Sequence, residues 1–111
     1  MDKLDHYRNL IEQILTEYAA IPYAYGDIAN FTVFDRHNDR YFVMTQGWNK
    51  DGRVHHCLVQ VDIINGKFWI QNDGTEEGVA ADLERAGVPK DHIVLGFRRP
   101  ELRPYTEYAA A

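Results

Sequence analysis

The sequence predicts an α+β domain, and three observations carry that reading. Apolar residues near the N-terminus recur at three- and four-residue steps, the period of a helix. The middle of the chain alternates apolar with polar residues between turn signals, the period of a strand. One strand, Phe68 to Asn72, runs straight into a helix start at Thr75. The full expectation is an N-terminal helix, an antiparallel β-meander of about four strands, a second helix, a short C-terminal strand and an extended arm. All of it fits one domain over residues 1–111.

The first helix spans about Asp5 to Tyr18. Leu4, Tyr7, Ile11, Ile14, Leu15 and Tyr18 form one apolar stripe. Asp2 can cap it, and Asp5 sits where the helix dipole favours a carboxylate. Pro22 and Gly26 mark the loop that follows.

Phe31 to Phe34 is β-branched and aromatic, so it reads as a strand. Asp35 to Arg40 is a turn, Tyr41 to Trp48 a second strand, and Asn49-Lys50-Asp51-Gly52 another turn. The third strand runs from Val54 to Ile63. Cys57, Val59, Val61 and Ile63 fall on one face, and His56, Gln60 and Asp62 on the other, which predicts a sheet with one wet face. Asn65-Gly66 is a strong hairpin signal joining that strand to Phe68–Asn72.

The second helix is expected to start at Thr75 as N-cap, with Glu76 and Glu77 in its first turn. Val79, Leu83 and Ala86 would be buried. Gly87 fits the left-handed position after a helix end, with Val88 folding back and Pro89 blocking continuation. Gly78 would sit inside the helix at a cost of roughly 1 kcal/mol, which suggests close approach of another backbone. Ile93 to Phe97 predicts a strand, or a buried turn followed by one. Pro100 and Pro104 then punctuate the extended arm.

Composition limits the function. With 45% apolar and 13% aromatic residues in 111, the chain can bury a core without a metal. A single cysteine, Cys57, excludes an internal disulfide. The N-terminus lacks the basic-then-apolar pattern of a signal peptide, and no run approaches the roughly 18 apolar residues that span a bilayer. The expected location is the cytoplasm, with no membrane contact. A net charge of -5 argues against a broad phosphate-binding surface.

The candidate chemistry is sparse. His55 and His56 are neighbours on a strand, so they point to opposite faces and cannot easily share a metal. Cys57 is expected to be an inert buried thiol, with His55 as its only conceivable base. The cluster Asp73-Gly74-Thr75-Glu76-Glu77 is adequately explained as a turn and helix start, with a cation or partner site as the functional alternative. No glycine-rich nucleotide motif exists. Arg98, Arg99 and Arg103 form a small basic group, diluted by Glu101 and Glu107.

Several runs converge on one family. Gly66-Lys67-Phe68-Trp69-Ile70-Gln71-Asn72-Asp73-Gly74-Thr75-Glu76, followed by Gly78, resembles the XisI-like proteins, the fdxN element excision controlling factors. Ala86 to Phe97, then Pro100, Arg103 and Thr106-Glu107-Tyr108-Ala109, are similar to the same family. So are Tyr7-Arg8 with Ile11, Tyr25-Gly26-Asp27, and Gly47-Trp48. The resemblance implies a role in programmed excision of a DNA element in cyanobacteria during heterocyst differentiation. It implies action beside a site-specific recombinase, with an XisH-like protein as companion. It supplies no catalytic residue, cofactor or metal ligand.

The expected function is therefore a non-catalytic accessory factor that binds a protein partner. Trp69, Gln71, Asp73, Thr75 and Glu76 are the candidate partner-binding residues, and the proline-punctuated arm suggests a homodimer. A second reading is direct DNA contact through Arg98, Arg99, Arg103 and Arg53. A third is a small hydrolase using Asp73, Glu76 or His56.

Overall fold

The apolar stripe of the first helix finds its counterpart on one face of a sheet. In a computed structural model, which describes residues 3–22 and 27–111, helix α1 spans Lys3–Ala19 and buries Tyr7, Ile11, Ile14 and Leu15. The expected cap Asp2 and the loop residue Gly26 lie outside the described residues. Five strands follow: β1 (Asp27–Asp35), β2 (Arg40–Asn49), β3 (Gly52–Ile64), β4 (Lys67–Asp73) and β5 (Ile93–Leu95). Their spatial order equals their chain order.

Strands β1 to β4 form an antiparallel meander. The Asn65-Gly66 turn closes the β3–β4 hairpin with φ of 52° and 76°, the left-handed pair that a two-residue hairpin needs. Strand β5 pairs with β4 in parallel, Phe68 opposite Ile93 and Ile70 opposite Leu95. A parallel neighbour requires a crossover, and residues 74–92 supply it with helix α2 (Val79–Arg85).

The core lies between this sheet and the two helices. Tyr41, Val43, Val59, Val61, Phe68, Ile70 and Ile93 from the sheet meet Ile11, Leu15, Val79 and Leu83 from the helices, all fully buried. Each such side chain contributes roughly 1.5–3 kcal/mol by leaving water. Tyr7 stacks 4.5 Å from Phe68 and shares a 2.8 Å hydrogen bond with His92 Nδ1, tying α1 to the segment that enters β5.

Helix α2 starts three residues later than expected, with Gly78 rather than Thr75 at the N-cap position. Thr75 is not its N-cap, and Glu76 and Glu77 are not in its first turn. The reason is Gly78, at φ 91° and ψ 138°, a conformation that cannot belong to a helix. Close approach is not why Gly78 is there, since an added Cβ would meet only Asp73 Oδ2 at 3.6 Å. The glycine needed for close approach is Gly47, where a Cβ would fall 1.9 Å from the Asp27 carbonyl oxygen. At the far end of α2 the expected stop is found, but Ala86 is exposed rather than buried, and Ala80 joins Val79 and Leu83 on the buried side. Gly87 at φ 97° and Val88 donate to the Glu84 and Leu83 carbonyls at 2.9 and 3.0 Å.

Two bulges change which residues share a face. In β3, Val43 pairs with Val59 but Met44 pairs with Cys57, so Leu58 is extra. Cys57 therefore faces away from Val59, on the outer side with Met44, and His56 lies on the core side opposite Thr45. The expected grouping of Cys57 with Val59 is corrected on that ground. In β4, Gln71 is the extra residue. The outer face is also less uniformly wet than alternation suggests, because Asp62 is only 9% exposed beneath Gln60 and Gln71.

The C-terminal arm is not extended throughout. Pro100–Tyr105 forms a 3-10 turn, after which Ala109 donates to the Ile93 carbonyl at 2.9 Å beside β5. Within the described residues no helix is long and apolar enough to cross a membrane.

Candidate functional site

The loop leaving β4 is where sheet, α1 and α2 converge. Asp73 ends β4, and its carboxylate organises the loop. Oδ1 accepts from the Thr75 amide at 3.0 Å and from the Thr75 hydroxyl at 2.6 Å. Oδ2 accepts from the Val79 amide at 2.7 Å. Thr75 Oγ1 in turn accepts from the Gly78 amide at 3.2 Å. Asp73 thus holds the first amide of α2 from six residues upstream, while Thr75 holds the Gly78 amide just ahead of the helix. Gly74 docks on β3 by donating to the Leu58 carbonyl at 2.8 Å, and a side chain there would press on Leu58.

This loop walls a groove of about 480 Å³, whose lining includes Tyr18, Ile21, Leu58, Thr75, Glu76 and Glu77. A second groove of about 460 Å³ runs between α1 and α2 and shares Tyr18 and Ile21. Tyr18 stands between them and donates to Asp82, which also pairs with Arg85. Burial and the neighbouring Asp82 carboxylate push the Tyr18 phenol up to about 12, so it stays a neutral donor. Ile21 is 58% exposed, leaving an apolar contact at the junction of the grooves. Glu76 and Glu77 are exposed on the rim.

Sequence reasoning grouped Trp69 and Gln71 with Asp73, Thr75 and Glu76. The structure divides them. Asp73, Thr75 and Glu76 stand together at the loop. Trp69 pairs with Asp62 and Val94 on the outer face, where the Arg103 guanidinium lies 5.2 Å from its ring centre. Gln71 donates to Asp62 Oδ2 at 3.3 Å. Tyr18, Ile21, Asp82 and Arg85 were missed as groove residues. The helical stripe placed Tyr18 at the core edge, but nothing local signals that it meets Asp82.

The basic group is divided too. Arg103 donates to the carbonyls of Arg98 and Gly96 at 3.1 and 3.3 Å as well as covering Trp69, so it holds the arm down. Arg98 is exposed and stacks on Phe97 at 5.3 Å, and Arg99 is exposed. Arg53 sits elsewhere, over Trp48 at 5.2 Å.

Potential catalytic groups find little support. Cys57 is half-buried, its thiol donates to the Val59 carbonyl at 3.3 Å, and burial raises its pKa, which disfavours the thiolate. His55 and His56 are exposed on opposite sides of β3. Among the described residues no three His, Cys, Asp or Glu side chains cluster to hold a metal.

These features define a two-layer α+β protein with adjoining grooves on its helical side. The chain belongs to the XisI family: the model of the XisI protein matches residues 1–110. It is similar to the crystal structure of a XisI-like protein from Anabaena variabilis ATCC 29413, with TM-score 0.89 and 34% identity over 97% of this chain and 99% of that one. It is also similar to the fdxN element excision controlling factor XisI from the same organism. There the TM-score is 0.80 and the identity 35%, over 99% of this chain and 100% of that one. The search of curated proteins returns no match.

Proposed function

We propose that the chain is a non-catalytic controlling factor for excision of a DNA element, acting through protein contacts. The observation that carries this is full-length likeness, in fold and at 35% identity, to a protein named as an excision controlling factor. The implied partners are an XisH-like protein and a site-specific recombinase in the cytoplasm of a cyanobacterial cell. The contact we assign is the groove rimmed by Glu76 and Glu77, with Ile21 at its junction. An acidic rim around apolar floor suits a partner segment that carries basic residues beside an apolar anchor.

Direct DNA binding is the second reading, carried by the exposed Arg98 and Arg99. Gel-shift titrations on element ends separate the two. Protein-mediated control predicts no binding by the chain alone at about 50 mM salt, where counterion release favours any phosphate contact. Salt-dependent binding lost in the Arg98→Ala/Arg99→Ala double variant would establish the second reading instead. A hydrolase reading predicts that Asp73→Asn, Glu76→Gln or His56→Ala abolishes excision while the fold is kept.

A further inference from the structure

We propose that the β1–β2 half of the sheet's outer face is the interface of a homodimer. On this face the register sets Phe31 beside Met44 and Val33 beside Phe42. Phe31 is 37% and Val33 45% exposed, in the middle of regular strands where burial alternates cleanly. The β4–β5 half of the same face is covered by the chain's own arm, with Arg103 on Trp69 and Val94 fully buried. The arm is anchored there by the Ala109 and Arg103 hydrogen bonds, so it leaves the β1–β2 half open to a second molecule.

The charges say which molecule. Asp35 lies beside Arg40 at one end of the patch. Asp27 lies beside Trp48 at the other, and Trp48 carries Arg53 on its ring. Among the described residues, Arg40, Arg53 and Asp27 make no ion pair. Each end thus offers one sign on β1 and the opposite sign one or two strands away. A two-fold axis running along the strands, between β1 and β2, stacks two copies face to face. It sets Phe31 over Met44 of the second copy, Val33 over Phe42, Asp35 over Arg40, and Asp27 over the Trp48–Arg53 pair. This is the aligned packing that twisted sheets favour, in an isologous contact. An axis across the strands would set Asp27 against Asp35. Edge-to-edge pairing of β1 with its copy, centred on Phe31, does the same at both ends, so like charges oppose both alternatives. A foreign surface of one sign would leave the other sign unmatched.

Sedimentation equilibrium on the full chain tests this, with circular dichroism to confirm folding. The wild type is expected to be a dimer at micromolar concentration. Val33→Glu buries an unmatched charge and should weaken it by about 100-fold or more. Arg40→Glu should also weaken it, less so as salt rises. Tyr105→Glu, on the arm at an 88% exposed position, should leave the dimer intact. Should Val33→Glu fail to fold, Arg40→Glu decides. A wild type that is monomeric at about 100 µM overturns the proposal and leaves the face for a different partner. So does a dimer broken by Tyr105→Glu but not by Arg40→Glu.

Discussion

Asp73 holds the start of α2 from outside the helix: its Oδ2 accepts the Val79 amide at 2.7 Å, across six residues. The capping group is therefore the last residue of β4, which couples the strand end to the helix start. The groove wall made by Thr75 and Glu76 depends on that coupling.

Asp73→Ala should cost about 1–2 kcal/mol, the usual loss for a helix cap. Asp73→Asn should cost less, because one accepting oxygen remains. Urea denaturation measures both. A loss at Thr75→Ala larger than at Asp73→Ala would return the capping role to Thr75.

Two glycines should fail differently. Gly78→Ala strains a left-handed backbone and should cost about 1–3 kcal/mol. Gly47→Ala must push β1 away, since the new Cβ would sit 1.9 Å from the Asp27 oxygen, so it should cost more. Thermal melts of the pair check the ranking. Equal losses would mean that β1 and β2 separate easily at that end.

Acid should loosen the attachment of α1 to the β1–β2 turn. Arg8 Nε donates to Asp39 at 2.7 Å, and Tyr41 donates to the same carboxylate at 2.9 Å. The Arg8 hydrogen bond, aided by that of Tyr41, lowers the Asp39 pKa. A lowered folded value means the stabilisation is present above the unfolded value of about 3.9 and lost as pH falls below it. Stability measured from pH 6 down to about 2 should decline less steeply in Asp39→Asn than in the wild type. Parallel declines would remove Asp39 from the account.

The arginines of the C-terminal segment should separate into one structural and two free. Arg103→Ala should loosen the arm, raise its amide exchange and change the Trp69 fluorescence, because the guanidinium leaves the ring. Arg98→Ala and Arg99→Ala should leave stability within about 0.5 kcal/mol of wild type. A stable, unaltered Arg103→Ala variant would show that Arg103 is as available to a ligand as its neighbours.

Elements with a local signal were legible in the sequence. The α1 stripe, the Asn65-Gly66 hairpin and the Gly87 helix end each depend on residues within a few positions. The misplaced α2 start shows the limit. Thr75-Glu76-Glu77 is an ordinary helix opening until Gly78 turns out of the helical region, so that the first helical amide, that of Val79, goes to Asp73 on the strand end. The bulges at Leu58 and Gln71 reversed face assignments, because period-two reading has no means of seeing an inserted residue. The candidate site was half legible. Asp73, Thr75 and Glu76 do come together, whereas Trp69 and Gln71 separate from them at the second bulge. Tyr18 and Asp82 meet only because α1 and α2 pack side by side.

The most direct test of a protein-mediated role is a binding measurement between purified components. The chain would be titrated against the XisH-like protein and the recombinase of the same genome, at physiological salt, by sedimentation velocity. A complex with at least one of them, weakened by charge reversal at Glu76 and Glu77, is the predicted result. No complex with either protein, together with salt-dependent binding of the chain alone to element DNA, would contradict it.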